Sequence, residues 1–259
     1  MTGWIVAMIF LLTTVVFGLL ARRERMRRKT RDPNTTWELP VIDLASLDAP
    51  FAPGPFGATI ETEVHFVGRG PLNVPGGTSD AETWILSVLA KRATRLFEFG
   101  TCTGKTAYLW ARNSPSDARV VTLTLGPDQR TDYQVGAVDT PLDTTFALAE
   151  SAFETFLYTG TPVAAKVTQL YGDSKTFDDT PYADWADLVF VDGSHARSYV
   201  ESDSVKAMRI VRPGGLILWH DYAGARHAAG VYATLNALSR TMALHHVRGT
   251  TFAAWRRPL

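Results

Sequence analysis

LFEFGTCTGKTAYLWA, residues 96–111, decides the fold. Its first half is a short apolar run ending at Glu98-Phe99, the pattern of a buried strand, and its second half opens a helix after Gly104. Gly100 and Gly104 permit a tight turn and a close approach of backbone to a ligand, while the free N–H groups of the helix N-terminus suit an anionic or polar group. The spacing excludes two familiar nucleotide loops. A dinucleotide fingerprint needs G-x-G-x-x-G, and a phosphate-binding P-loop needs four residues between its glycines where Gly100 and Gly104 enclose three.

Outward from this turn, strand-like and helix-like runs alternate. Ser79 or Thr78 can cap a helix over Ala81–Lys91, Arg95–Phe99 reads as a strand and Lys105–Arg112 as a helix. Ala118–Leu125 is a strand, Phe146–Leu157 a helix, and Ala165–Tyr171 and Ala186–Val191 are strands. A helix over Tyr199–Val211, a strand over Gly215–Trp219 and a helix over Ala228–Ser239 follow. LHHVRGTTFAAW (244–255) has Gly249 between two strand-like runs, which predicts a closing antiparallel hairpin. Strands separated by helices at this spacing form a mostly parallel sheet covered on both faces.

Upstream the composition changes. Trp4 to Leu20 is seventeen residues without a charge, at the short end of what crosses a bilayer as a helix. Thr13 and Thr14 can return their hydroxyls to the helix backbone. Arg22, Arg23, Arg25, Arg27, Arg28, Lys29 and Arg31 follow with only Glu24 among them, leaving 19 basic and 25 acidic residues elsewhere in a chain of zero net charge. The charges come after the apolar run and no cleavage site appears, so the segment reads as an uncleaved anchor and not a signal peptide. The positive-inside rule places everything beyond it on the cytoplasmic side of a single-pass membrane protein, and the same block suits anionic headgroups. A nucleic-acid binder would spread such charge over a folded face, and no nucleic-acid partner is expected. Residues 32–76 carry seven of the fourteen prolines and form a strap, in which VIDLASL (41–47) and ETEVHFVG (61–68) look able to pack on the domain. The division is thus an anchor over 1–21, a basic segment over 22–31, the strap over 32–76 and an α/β domain over 77–259. One cysteine, Cys102, excludes a disulfide framework and reads as a small buried side chain. The sequence sets no oligomeric state.

A carboxylate before the first glycine of G-x-x-x-G resembles motif I of class I S-adenosylmethionine-dependent methyltransferases. VTQLYGDSKTFD (167–178), DLVFVDGSHARSYVESD (187–203) and MRIVRPGGLILWHDY (208–222) occur in the order of that fold's third, fourth and fifth strands. They look like the small-molecule O-methyltransferases with macrolide-sugar and cephalosporin-pathway relatives, a likeness covering about residues 76–256. The resemblance implies a Rossmann-like, mostly parallel, seven-stranded sheet with a closing antiparallel hairpin, preceded by the single transmembrane helix. It also implies S-adenosylmethionine as cofactor. Gly100, Thr101 and Gly104 would lie beneath its methionine part, Glu98 near its amino or ribose end, and Asp173 and Ser174 beside the adenine. Asp192 would face the reacting centre, with His220 and Asp221 on the same rim and His195 or His220 as general base. Some relatives hold a magnesium-like ion with acids at these strand ends. Asp192, His220 and Asp221 are the candidate ligands here, with His220 weakening an all-oxygen site.

One departure stands out. Thr124 ends the second strand where many methyltransferases present an acid to the ribose hydroxyls, and a threonine cannot make a bidentate, charge-assisted contact. Asp128 is a candidate substitute. Two functions follow: methyl transfer to a hydroxyl of a small molecule, sugar or lipid-linked glycan, or a membrane-anchored, non-catalytic scaffold on a degenerate fold.

Overall fold

The computed structural model describes residues 8, 10, 12–22, 38–54, 62–64, 74 and 76–259. Residues 12–22 are helical, and the Thr13 and Thr14 hydroxyls both donate to the Phe10 carbonyl, at 2.9 and 2.8 Å. Among the described residues no helix is long and apolar enough to cross a membrane, so the expected transmembrane helix is not seen there. Residues 4–7, 9 and 11 of the expected span, residues 23–31 of the basic block and much of the strap lie outside the described residues.

Among the described residues eight strands form one sheet: β1 (Val41–Ile42), β2 (Arg95–Phe99), β3 (Arg119–Thr124), β4 (Val167–Tyr171), β5 (Ala186–Val191), β6 (Val211–Trp219), β7 (His245–Val247) and β8 (Ala253–Arg256). Their order is β1-β7-β8-β6-β5-β2-β3-β4. The sheet is mixed: β8 runs antiparallel to β6 and β7, and every other pairing is parallel. Seven strands were expected. The eighth is Val41–Ile42, where two residues of the proline-rich segment pair with His246 and Val247 at the sheet edge.

Alternation along the strands supplies two cores. Leu96, Val120, Leu188, Phe190, Leu216 and Leu218 pack on one face, whereas Phe97, Val121, Val189, Val191, Ile217 and Trp219 pack on the other. Burial on both faces is what a parallel sheet between helical layers demands. Truncating such a side chain, Phe190 for instance, costs about 3–5 kcal/mol through lost transfer energy and the cavity left behind.

The covering helices are α1 (Asp80–Ala90), α2 (Lys105–Asn113), α3 (Pro141–Glu150), α4 (Arg197–Ile210) and α5 (Ala229–Leu238). Ser79 caps α1 in a reciprocal box, accepting from the Glu82 amide at 3.3 Å while its own amide donates to Glu82 Oε2 at 2.8 Å. The other Glu82 oxygen accepts from the Thr251 amide and hydroxyl, at 2.6 and 2.9 Å, tying the helix start to the β7–β8 hairpin. Two elements depart from expectation by more than two residues at a boundary. The helix placed at 146–157 runs from Pro141 to Glu150, because Thr140 caps it through Asp143 with proline in the first turn. Beyond it the Leu157 amide donates to the Thr103 carbonyl at 2.9 Å, folding residues 156–158 back over the glycine turn. Strand β6 begins at Val211, not Gly215, because Val211 pairs with Ala186 before the register shifts at Leu188.

Candidate active site

The carboxyl ends of β5, β2, β3 and β4 form one rim, where the chain leaves each strand and side chains become free for chemistry. At its centre Gly100 has φ +96°, and its amide donates to the Leu123 carbonyl at 2.8 Å. A Cβ there would stand 2.2 Å from the Asp192 carbonyl oxygen and 2.6 Å from Gly193 Cα. Gly100 is therefore required for the crossing of two backbones at the floor of the site. Gly104, at φ +77°, starts α2, and a Cβ on it would meet Tyr158 at 2.8 Å and Phe156 at 2.9 Å. It does not reach the cleft.

A cleft opens on this rim beside Gly100. Gly100, Thr124, Ser174, Gly193, Tyr133, Tyr199 and Asp203 are among its lining residues. Of the predicted cofactor residues, Gly100, Thr124 and Ser174 are brought together here. Glu98 and Thr101 lie beneath the turn instead, 1% and 3% exposed. Thr122 donates to Glu98 Oε2 at 2.6 Å, and the Thr101 hydroxyl is 2.8 Å from that of Thr122 and accepts from Gln169 Nε2 at 3.1 Å. Burial, with the Asp192 charge in support, pushes the Glu98 carboxyl up to about 8. Asp173 is also turned away: its carboxylate accepts from the Lys175 amide at 2.9 Å and from the Tyr199 hydroxyl at 3.1 Å. Asp128, the proposed substitute for an acid at Thr124, is exposed and does not line the cleft.

Next to Gly193 and Ser194 the four predicted catalytic groups meet. His195 Nε2 lies 2.7 Å from Asp221 Oδ2, and His220 Nδ1 lies 3.1 Å from Asp192 Oδ1 and 3.0 Å from Asp221 Oδ2. The far ring nitrogen of His220 is 3.6 Å from Glu82 Oε2. The two histidines differ in access, with side-chain exposures of 27% for His195 and 3% for His220. The hydrogen bond to Asp221 pushes His195 up to about 9. Burial by itself would lower His220, yet the charges of Asp192 and Asp221 raise it well above the ordinary imidazole value. Burial pushes Asp192 upward. For Asp221 burial pushes the same way, but the two histidines hold its carboxyl far below the usual range.

Asp192, His220 and Asp221 present ligand atoms within 4.8 Å of one another. That set does not fit magnesium as arranged. His220 Nδ1 sits between two carboxylate oxygens, so it carries a proton and donates, and a protonated nitrogen ligates nothing. The oxygens a hard cation would take are already bonded to that ring, whose positive charge occupies the cation's place.

Several site residues escaped the sequence reading. Tyr133 stacks on Tyr199 with centroids 4.4 Å apart and planes 17° from parallel, and Lys175 Nζ lies 4.0 Å above the Tyr199 ring. Tyr199 and Asp203 are four residues apart on α4, so one helical turn places both on the cleft side. That spacing was the available signal. Glu150, at the end of α3, is pushed up to about 7 by burial and by Asp192; nothing in its local sequence marks it. Cys102 keeps φ +45° in the turn, and burial pushes its thiol up to about 12, which leaves it protonated and unreactive.

Residues 97–222 match a family model described as a methyltransferase domain. Among solved structures, the chain is similar to the O-methyltransferase TomG from Streptomyces achromogenes in complex with SAM, at 21% identity over 70% of this chain and 82% of that one, TM-score 0.48. It is also similar to the SAH-bound methyltransferase PaMTH1 from Podospora anserina, at 16% identity over 71% of this chain and 80% of that one, TM-score 0.50, a likeness of fold. No curated protein matches the chain in sequence.

Proposed function

We propose that this chain, whose residues 97–222 match a family model described as a methyltransferase domain, moves the methyl group of S-adenosylmethionine onto a hydroxyl of a small molecule, sugar or lipid-linked glycan. One observation carries the reading: the cleft running from Gly100 to Ser174 adjoins the Asp192–His195–Asp221 cluster, with Ser194 lining both. A methyl group held near Gly100 then faces an acid–base pair across a short gap. The sulfonium is already an activated donor, so the protein aligns donor and acceptor, excludes water and removes a proton.

His195 is the proton acceptor, because its ring is reachable and Asp221 orients it. Its own value of about 9 keeps it charged at neutral pH, and a sulfonium placed beside it lowers that value by charge repulsion. Transfer therefore speeds up as pH rises from 7 toward 9. Buried His220 fixes Asp192 and Asp221 and touches no substrate. Val135, Val138, Leu142 and Phe146 are exposed on the approach, and the Phe146 ring centroid lies 6.2 Å from that of His195, which favours an acceptor with an apolar portion.

The apolar run of residues 4–20 and the basic residues behind it support a membrane-attached chain with its domain on the cytoplasmic face. Recovery of the full chain in the soluble fraction without detergent would sink that part. For the reaction, the full chain in detergent is titrated calorimetrically with S-adenosylmethionine and S-adenosylhomocysteine. Binding, together with a drop of about 10²–10⁴-fold in transfer rate in His195→Gln at unchanged cofactor affinity, is the expected result. A folded protein that binds neither compound is the scaffold suggested by Thr124.

A further inference from the structure

The end of the sheet opposite the rim carries charge of the other sign. Strands β2, β5 and β6 begin there and the antiparallel β8 ends there. An open cleft of about 170 Å³ lies between them, with room for several waters or one tetrahedral oxyanion. Arg92, Arg212 and Arg256 line it together with Asp48 and Asp187. Two of the three guanidinium groups are held in place. Arg212 donates from Nε to Asp187 Oδ1 at 2.6 Å and from Nη1 to the Pro213 carbonyl at 2.9 Å. Arg256 donates to the Gly214 and Leu47 carbonyls, at 2.9 and 3.1 Å, and to Asp48 Oδ2. The other Asp187 oxygen already accepts from the Thr94 amide and hydroxyl and from the Arg95 amide, at 2.7, 3.0 and 2.9 Å. Arg92 has no side-chain partner among the described residues. Lys91, Arg95 and Arg119 are exposed on the same end, also without an ion pair among the described residues, and Arg95 and Arg119 lie side by side in register on β2 and β3. Like charges set across neighbouring strands repel, and unpaired cations gathered on one face make a field that draws anions.

We propose that this cleft binds a phosphate group, gripped by Arg92, Arg212 and Arg256, as a second site separate from the one for methyl transfer. A guanidinium presents its N–H donors in a planar fork that matches the oxygens of a phosphate, and an oxyanion with several acceptors can engage more than one such fork. Arg212 and Arg256 are already ordered by Asp187, Asp48 and the backbone carbonyls, so little side-chain freedom remains to be lost on binding. Three arginines against two aspartates leave the lining one positive charge in excess. Leu89, Ala93, Leu188 and Leu216 are buried in its walls, and the low-dielectric surface they supply strengthens each charged contact. The phosphate group belongs either to a soluble ion or ester or to a phospholipid headgroup, and the arginines meet the same oxygens in both.

The test is calorimetric titration of the full chain in uncharged detergent with inorganic phosphate, against chloride at equal ionic strength so that screening is the same in both. Phosphate should bind saturably, and Arg92→Ala, which removes an exposed side chain with no partner to lose, should weaken it at least tenfold. Arg119→Ala, which removes a like charge outside the cleft, should weaken it by less than about twofold. Heat no different from that of chloride overturns the site, and this arm needs no variant to fold. Equal losses in the two variants overturn it as well, because a diffuse field and not the cleft would then be holding the ion. Competition separates the sources: displacement of phosphate by dispersed phosphatidic acid and not by phosphatidylcholine supports the cleft as a headgroup site, and phosphate binding that persists beside both lipids supports it as a site for a soluble phosphate.

Discussion

Replacing Gly100 by alanine tests the crossing of backbones on which the site is built. Two costs add. A non-glycine residue at φ +96° carries left-handed strain of about 1–2 kcal/mol. The new methyl group then meets backbone atoms at 2.2 and 2.6 Å, where no side chain can rotate away. The β2–α2 turn must lift from the end of β5 by roughly an ångström, an overpacking cost of about 1–3 kcal/mol. Together this is about 2–5 kcal/mol, or a fall of roughly 4–20 °C in melting temperature for a domain of this size. Gly160→Ala is the internal control: φ is +72°, but nothing lies within 4 Å of the added Cβ. It should lose only the strain, about 1–2 kcal/mol. Thermal denaturation of both variants decides the matter, with S-adenosylhomocysteine titration as a second readout in which only Gly100→Ala loses more than tenfold. Equal destabilisation of the two would refute the close-approach argument.

Three further perturbations follow from the buried acids and the histidine cluster. Glu98 has a folded value of about 8, above the unfolded 4.5, so its contribution to stability is greatest below pH 4.5 and is lost as pH rises through 8; Glu98→Gln should raise the urea midpoint relative to wild type at pH 8.5 and change it little at pH 5. Glu82 is the opposite case: burial raises its carboxyl, but His220, Thr251 and Ser79 bring it down to about 2, so its stabilisation is present above pH 4.5 and lost as pH falls through 2. Glu82→Gln should cost about 1.5–3 kcal/mol at pH 7, with the gap to wild type narrowing in unfolding measured at pH 3. Methyl transfer should survive exhaustive chelation, because the His220 ring already bridges Asp192 and Asp221; activity lost to chelator and restored by magnesium would overturn that reading.

What the sequence determined by itself is the part governed by local rules. The short apolar runs in LFEF and DLVFV and the breaks at Gly100 and Gly193 specify strand ends, and strand ends in such a sheet specify a rim. Asp192, His195, His220 and Asp221 could be placed together because all four follow β5 or end β6, and adjacent parallel strands deliver their carboxyl ends to one place. The tertiary structure decided the direction in which side chains point and what they are already bonded to. Glu98 and Asp173 sit at the right sequence positions, yet Thr122 and Tyr199, distant in the chain, draw them away from the cleft. Asp203 and Glu150 enter the site because α4 and α3 fold over the rim, and the start of α3 turned on the Thr140 cap and not on hydrophobic pattern. The same division separates the histidines: identical in chemistry and equally visible in sequence, they differ because His220 is enclosed by Glu82, Asp192 and Asp221 while His195 meets solvent. Burial and charge at a point in space sum over residues remote in sequence, and that sum exists only once the chain has folded.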